Sequence, residues 1–489
     1  MTVSEETPDD ELSGEIAEGS HAAARVGLVL GPALALVAII GTHPALGGAG
    51  ALSADAAWAL ALLALMACWW VTLAVEPAVT GLLPFVALSV LGIGKPADIA
   101  APYANDVIFL FAGGSLLALA LERTGVSGRL ATGLVRLAGT SPLRVLAAVM
   151  VASAVLSAFV SNLATAATML PLAIALGTHA REGARDDAQR AAAVRFATSL
   201  LLGIAFASSI GGALTVIGSP PNPIAVEWLR KNGVEMDFLR WLRFSVPTTM
   251  VFLPIAVVVL GVWLFPARGI SVTQERARMG AIGRDGWATL VVFALAVGAW
   301  VTLPLFAGRL PLVKDGTIAI AAATVLFFLP TADGRGRLLE ASAFARIPWR
   351  VLVLFGGGLC LADAMQRTGL STQLGAMIAA AGTLPSVLLL VLLVGTIVFA
   401  SEVASNTTLA AMAVPIVGAL APGLGVAPET LVIPAVFAAS WAFALPVGTP
   451  PNALVYASGK VRAHDMMRAG LALDVIAIIV IVVMAKVLL

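Results

Sequence analysis

The chain has 489 residues, of which 60% are apolar and only 12% charged, with a formal net charge of +1. A soluble domain carries roughly 25% charged residues, so this balance excludes an ordinary water-soluble globular protein. The near-neutral charge leaves no basis for nucleic-acid binding, and a mean hydropathy of +0.98 points to lipid as the solvent.

Residues 1–25 contain Glu5, Glu6, Asp9, Asp10, Glu11, Glu15 and Glu18, and no basic residue before Arg25. A secretory leader starts basic, so this stretch reads instead as a disordered acidic tail on the cytoplasmic side. A first transmembrane helix and its loop are expected over 26–51. Further apolar runs of spanning length lie at 56–75, 78–94, 107–121, 196–217, 245–265, 287–304, 316–330, 348–363, 430–447 and 470–488. The fold expected is an all-α polytopic membrane protein with about 11 transmembrane helices. Cys68 and Cys360 fall inside such runs and read as small buried apolar residues. His21, His43, His179 and His464 are scattered, with no partner at metal-ligand spacing.

Most of the 29 Lys and Arg residues fall in connections that share a side with the N-terminal tail. Arg123, Arg129, Arg136 and Arg144 lie in one of these, and Arg181, Arg185, Arg190 and Arg195 in the next. The positive-inside rule puts that side in the cytoplasm and the C-terminus outside. This bookkeeping holds only if two apolar stretches, 145–178 and 385–421, enter and leave on the same side. Each is then a re-entrant hairpin of two half-helices, tolerated at depth only where protein or a wet cavity covers its tip. Segments 126–138 and 370–382 show helical spacing of Leu130, Leu134 and Leu137, and of Leu374, Ile378 and Ala381. They read as amphipathic helices at the interface.

The chain writes one polar signature twice. Ser161-Asn162 matches Ser405-Asn406, and at the same offset Phe111 matches Phe355, Gly113-Gly114 matches Gly357-Gly358, and Arg123-Thr124-Gly125 matches Arg367-Thr368-Gly369. Ser157 matches Ser401, and Pro171 matches Pro415. A second constant offset relates Gly218-Ser219-Pro220-Pro221-Asn222 to Gly448-Thr449-Pro450-Pro451-Asn452. Two repeats of opposite orientation, 52–266 and 285–489, are therefore expected to meet at one site, the arrangement of many transporters.

A double proline removes two successive N–H donors and breaks the helix. Carbonyl oxygens freed before the break can face a cation, and the half-helix after it points N–H groups at the same spot. No Lys or Arg occurs in 145–178, 196–229 or 368–459. A bound dianion there is costly unless a cation accompanies it, and hydroxyl, amide and carbonyl oxygens suit a hard ion such as sodium. Taken singly, a Ser-Asn pair is more often an interhelical hydrogen bond, and a double proline a kink. Duplication of both is what argues for a site. Glu402, the one acidic residue in either hairpin, stands as either a proton-coupling or a structural group. No His/Glu/Asp constellation, nucleophile elbow or metal motif supports an enzyme.

These residues, with Trp69-Trp70 and the run Glu76-Pro77-Ala78-Val79-Thr80-Gly81-Leu82-Leu83-Pro84, resemble the divalent anion/sodium symporters, a family of dicarboxylate, citrate and sulfate transporters. The resemblance covers nearly all of the chain beyond residue 55. It implies an inverted-repeat homodimer in the plasma (inner) membrane, with a scaffold and a transport domain working by an elevator movement. It places one sodium ion on Ser157, Ser161, Asn162 and Gly218, and another on Ser401, Ala404, Asn406 and Gly448. It places the substrate carboxylates on Ser161, Asn162 and Ser219 and on Ser405, Asn406, Thr407 and Thr449. The family motif is Ser-Asn-Thr twice, whereas here the first copy reads Ser161-Asn162-Leu163. The function expected is sodium-coupled symport of a small divalent anion, foremost a C4-dicarboxylate such as succinate, malate or fumarate, without an organic cofactor. An exchanger or proton-coupled carrier on the same fold, or a sulfate or citrate transporter, is the alternative.

Overall fold

The computed structural model describes residues 8–46, 52–272, 281–306, 308–380 and 385–489. These residues are helices and connections, with one isolated bridge between Pro330 and Arg337. A chain surrounded by hydrocarbon must pair its own backbone groups, and the helix does so within one segment.

The first half opens with α1 (Pro8–Thr42), α2 (Ala54–Thr72), α3 (Pro77–Thr80), α4 (Leu83–Leu91) and α5 (Pro96–Ala100). The backbone of residues 8–25, expected to be unstructured, departs from that reading by continuing the first helix. Glu76 caps α3, its Oε2 accepting from the amides of Ala78 and Val79. Then come α6 (Asp106–Arg123), α7 (Val126–Arg136), α8 (Pro142–Ser157), α9 (Asn162–Glu182), α10 (Asp187–Gly212), α11 (Pro221–Lys231) and α12 (Phe238–Val258). The second half runs α13 (Arg284–Phe306), α14 (Asp315–Phe328), α15 (Trp349–Arg367), α16 (Leu370–Ala380), α17 (Ser386–Ser401), α18 (Asn406–Leu420), α19 (Glu429–Ser440), α20 (Pro450–Ala457) and α21 (Ala463–Leu488).

Helix lengths recur in order. α7 and α16 have 11 residues each, and α8 and α17 have 16 each. The repeat-matched Phe111 of α6 and Phe355 of α15 meet edge to face at 5.5 Å between ring centroids. Eight helical segments among the described residues are long and apolar enough to cross a membrane. The runs expected at 78–94, 316–330 and 430–447 appear instead as the shorter helices α4, α14 and α19. Each expected hairpin is a helix pair joined by a four-residue turn, α8 with α9 and α17 with α18. Of these four, α9 alone has spanning length, at 21 residues.

α7 buries Val126, Ser127, Ala131 and Val135 against the protein and leaves Leu130 and Leu137 exposed. Of the leucines noted in the sequence, Leu134 is half-buried against the core, while Leu130 and Leu137 are turned outward, where lipid can cover them.

Candidate functional site

The double prolines do what their chemistry dictates. α10 stops at Gly212 and α11 starts at Pro221, while α19 stops at Ser440 and α20 starts at Pro450. Two unwound segments, 213–220 and 441–449, therefore lie inside the protein, each beside a hairpin turn. The elements interlock crosswise. α11 packs against α18 and α19 of the other half, with Trp228 filling the space over Gly418, whereas α20 packs against α9 and α10. Four buried aromatics hold the second unwound segment. Phe252 stacks on Trp441 at 4.6 Å, and Phe206 meets Phe443 at 5.3 Å.

At the first turn, Ser157, Asn162 and Gly218 come together. The Oγ of Ser157 lies 2.7 Å from Asn162 Oδ1 and 2.6 Å from the carbonyl oxygen of Ser208. A hydroxyl carries one proton, so it can donate to only one of these. Whichever it chooses, a second close pair of oxygens remains that a cation can join. A Cβ at Gly218 would sit 2.7 to 2.9 Å from the carbonyl oxygens of Gly212, Ala158 and Ser157. Three backbone carbonyls thus converge on a position that only glycine fits. Ser161 caps α9, its Oγ accepting from Ala164 N at 3.3 Å, and its side of the tip is exposed. Ser219 is buried just beyond the cradle.

The second turn repeats the arrangement. Ser401 Oγ donates toward Val398 O at 2.8 Å and Ala438 O at 3.4 Å, the latter the counterpart of Ser208. Asn406 Nδ2 donates to Ser440 O at 3.4 Å, and its Oδ1 is buried with no hydrogen-bond partner among the described residues. Ala404 is buried, Ser405 exposed and Thr407 half-buried. Thr449 is buried and caps α20, accepting from Asn452 N at 3.3 Å. A Cβ at Gly448 would meet Glu402 Oε2 at 2.9 Å, Glu402 O at 3.2 Å and Leu445 O at 3.3 Å.

Four residues outside the expected set belong to this geometry. Asn222 Nδ2 donates to Gly212 O at 2.9 Å and Thr215 O at 2.7 Å, and Asn452 Nδ2 donates to Leu445 O at 3.1 Å. The Oδ1 of each is buried without a partner among the described residues. Their signal was visible as the closing residue of both Pro-Pro-Asn runs. Thr215 closes the first unwound segment with a hydrogen bond from its Oγ1 to Ala158 O. Asp474, fully buried in α21, reaches Phe443 N at 3.2 Å. An acid inside an apolar helix could have announced it.

Glu402, left open between two roles, has both oxygens occupied. Its Oε1 accepts from Phe443 N at 2.6 Å and Ala444 N at 2.8 Å, and its Oε2 from Leu445 N at 2.7 Å.

Broken helices, paired hairpin turns and a duplicated oxygen cradle define a polytopic membrane transporter. The sequence matches the citrate transporter family over residues 60–433. The chain is 34% identical over 471 residues to the sodium-dependent dicarboxylate transporter SdcS of Staphylococcus saprophyticus, covering 94% of this chain and 90% of that protein. It is also 34% identical over 474 residues to the SdcS protein of Staphylococcus aureus strain USA300, covering 94% and 89%. The chain belongs to this transporter family, in keeping with its resemblance to the divalent anion/sodium symporters, and it is not an enzyme. The fold is similar to the YdaH transporter of Alcanivorax borkumensis, with a TM-score of 0.54 at 17% identity, covering 83% of this chain and 88% of that one.

Proposed function

We propose that the protein is a secondary active transporter of the plasma membrane that couples uptake of a small divalent anion, foremost a C4-dicarboxylate, to sodium. The observation that carries this reading is the pair of oxygen cradles at Gly218 and Gly448, set in segments without a lysine or arginine. A dianion bound between them has hydroxyls, amides and helix N-termini as donors, and needs mobile cations to balance its charge. Sodium on Ser157, Ser161, Asn162 and Gly218, and on Ser401, Ala404, Asn406 and Gly448, supplies that balance. The carboxylates then meet Ser161, Asn162 and Ser219 on one side and Ser405, Asn406, Thr407 and Thr449 on the other. Cation and anion affinities become mutually dependent, which is the thermodynamic content of symport. The named substrates of the staphylococcal relatives agree with it.

Repeats 52–266 and 285–489 are then inverted copies, with re-entrant hairpins at 145–178 and 385–421. The N-terminus is cytoplasmic and the C-terminus outside. A transport domain carrying both cradles moves past a dimeric scaffold as an elevator. The test is succinate uptake into proteoliposomes. An inward sodium gradient drives concentrative uptake, and replacing sodium by choline abolishes it. Uptake that ignores sodium and instead requires internal dicarboxylate overturns symport in favour of exchange.

A further inference from the structure

The two cradles present similar oxygens, but their surroundings differ in charge. The first has no acidic residue in 145–178 or 196–222. The second has two carboxylates, Glu402 and Asp474, both buried. From this difference we infer that Glu402 is a positioning residue for the second cradle, and that with Asp474 it makes that cradle the first to fill with sodium. The inference rests on the sodium-coupled reading above.

The positioning follows from where the helices stop. By the offset that matches Gly218 with Gly448, α19 ends two residues earlier than α10, so additional backbone N–H groups are released inside the protein. Buried amides without acceptors are costly. In the first half the neutral Thr215 hydroxyl and the Asn222 amide tie the unwound segment down. In the second, the position of Ala158 is taken by Glu402, whose carboxylate collects the N–H groups of Phe443, Ala444 and Leu445 in succession. Successive amides gathered on one anion form a nest, and a nest fixes the peptide planes that carry it. Leu445 O is thereby held toward Asn452 Nδ2 and Gly448.

Asp474 reinforces the arrangement from α21. Gly470, one turn before it, leaves no room for a Cβ against Phe443 O, so helix and unwound segment are in backbone contact. Asp474 Oδ1 shares the Phe443 amide with Glu402, and its Oδ2 is buried with no hydrogen-bond partner among the described residues. α17 and the segment 441–449 contain no basic residue. Glu402 Oε2 borders Gly448, so a cation in that cradle feels at close range a negative charge that the first cradle lacks. Sodium therefore occupies the second cradle at lower concentration than the first.

The test follows thermal unfolding of the purified full-length protein in detergent as sodium is titrated against choline at constant ionic strength. Glu402→Gln should raise the sodium concentration for half-maximal stabilisation by about tenfold or more. Ser157→Ala, which touches only the first cradle, should move that midpoint less than about twofold. A Glu402→Gln protein that melts lower with an unchanged sodium midpoint overturns the inference, as does a larger shift in Ser157→Ala. Should Glu402→Gln not fold, Glu402→Asp decides. It keeps the charge but draws it one methylene back from Gly448, and an unchanged midpoint overturns the proposal where about a threefold rise is expected. A wild-type protein indifferent to sodium would instead defeat the sodium-coupled reading itself.

Discussion

The half-helices α11 and α20 follow the same Pro-Pro-Asn signature, yet they end differently. At the end of α11, Arg230 lies 3.0 Å from Asp106 of α6 and 2.5 Å from Asp315 of α14, while Lys231 lies 2.9 Å from Asp363 of α15. The next residue, Asn232, accepts a hydrogen bond from Gln366 at 2.5 Å. α20 ends at Ala457 in the exposed turn of Gly459 and Lys460, where Ser458 Oγ donates back to Val455 O. One half-helix is clamped by ion pairs to three neighbouring helices, whereas the other ends in a turn open to solvent. The same contrast runs through the cradles, where neutral groups support the first and a carboxylate the second. Duplicated ligand geometry has been kept while the chemistry that supports it has diverged.

The largest effects test whether the two halves are equivalent as ligands. If each amide serves both cation and anion as proposed, Asn162→Ala and Asn406→Ala should each lower dicarboxylate uptake by about 100-fold or more, since two charge-assisted contacts are lost together. Uptake by reconstituted vesicles checks this. Near-normal rates in either variant remove that asparagine from the site and break the pairing of the halves.

The two glycines separate the cradles by their walls. At Gly218 an added methyl group meets three backbone carbonyls below 3.0 Å, and none of them can yield without moving a turn. At Gly448 the nearest atom is the end of the Glu402 side chain, and the backbone oxygens stand at 3.2 and 3.3 Å. Gly218→Ala should cost about tenfold or more in uptake, and Gly448→Ala about threefold, because overpacking against rigid backbone is the dearer of the two. Equal losses would mean that both cradles are equally unyielding.

The clamp on α11 is a contrast in stability. Asp315 is 2% exposed, and Arg230→Met leaves its carboxylate buried without its cation. Arg230 is itself 22% exposed, so the loss, screened by solvent, should be about 2 kcal/mol. It should appear as a lower unfolding temperature with the sodium midpoint unchanged. A shifted midpoint would tie the clamp to the cradles.

How much of this was readable from the sequence follows from range. Ser157, Asn162, Ser401, Asn406 and both Pro-Pro-Asn runs stand out because polar residues and helix breakers are rare in apolar stretches, and repetition removes chance. Asp474 and Thr215 did not stand out, because their roles exist only after distant segments pack. Nothing local in α21 says that Asp474 meets Phe443. Arg230 and Lys231 were legible as loop charges but not as a clamp, since their partners come from α6, α14 and α15. Leu130, Leu134 and Leu137 were read as one face of a helix, but the packing of Val126, Ala131 and Val135 turns Leu130 and Leu137 outward and draws Leu134 against the core.

Leu163 offers the smallest effect and the most pointed one. It occupies the position of Thr407, directly after the asparagine, and its side chain is 46% exposed at the first turn. The first turn therefore offers an anion one hydroxyl fewer than the second. Leu163→Thr restores that donor on a surface already open, so it neither creates a cavity nor buries a polar group. One additional hydroxyl donor on this solvent-exposed turn is worth about 1 kcal/mol, which corresponds to roughly a fivefold lower KM for succinate. Its effect on the sodium midpoint should be negligible, because the cradle oxygens belong to Ser157, Asn162 and the carbonyls around Gly218. An unchanged KM would mean that the substrate leans on the second turn alone, making the two halves unequal in their hold on the anion as well as in their support.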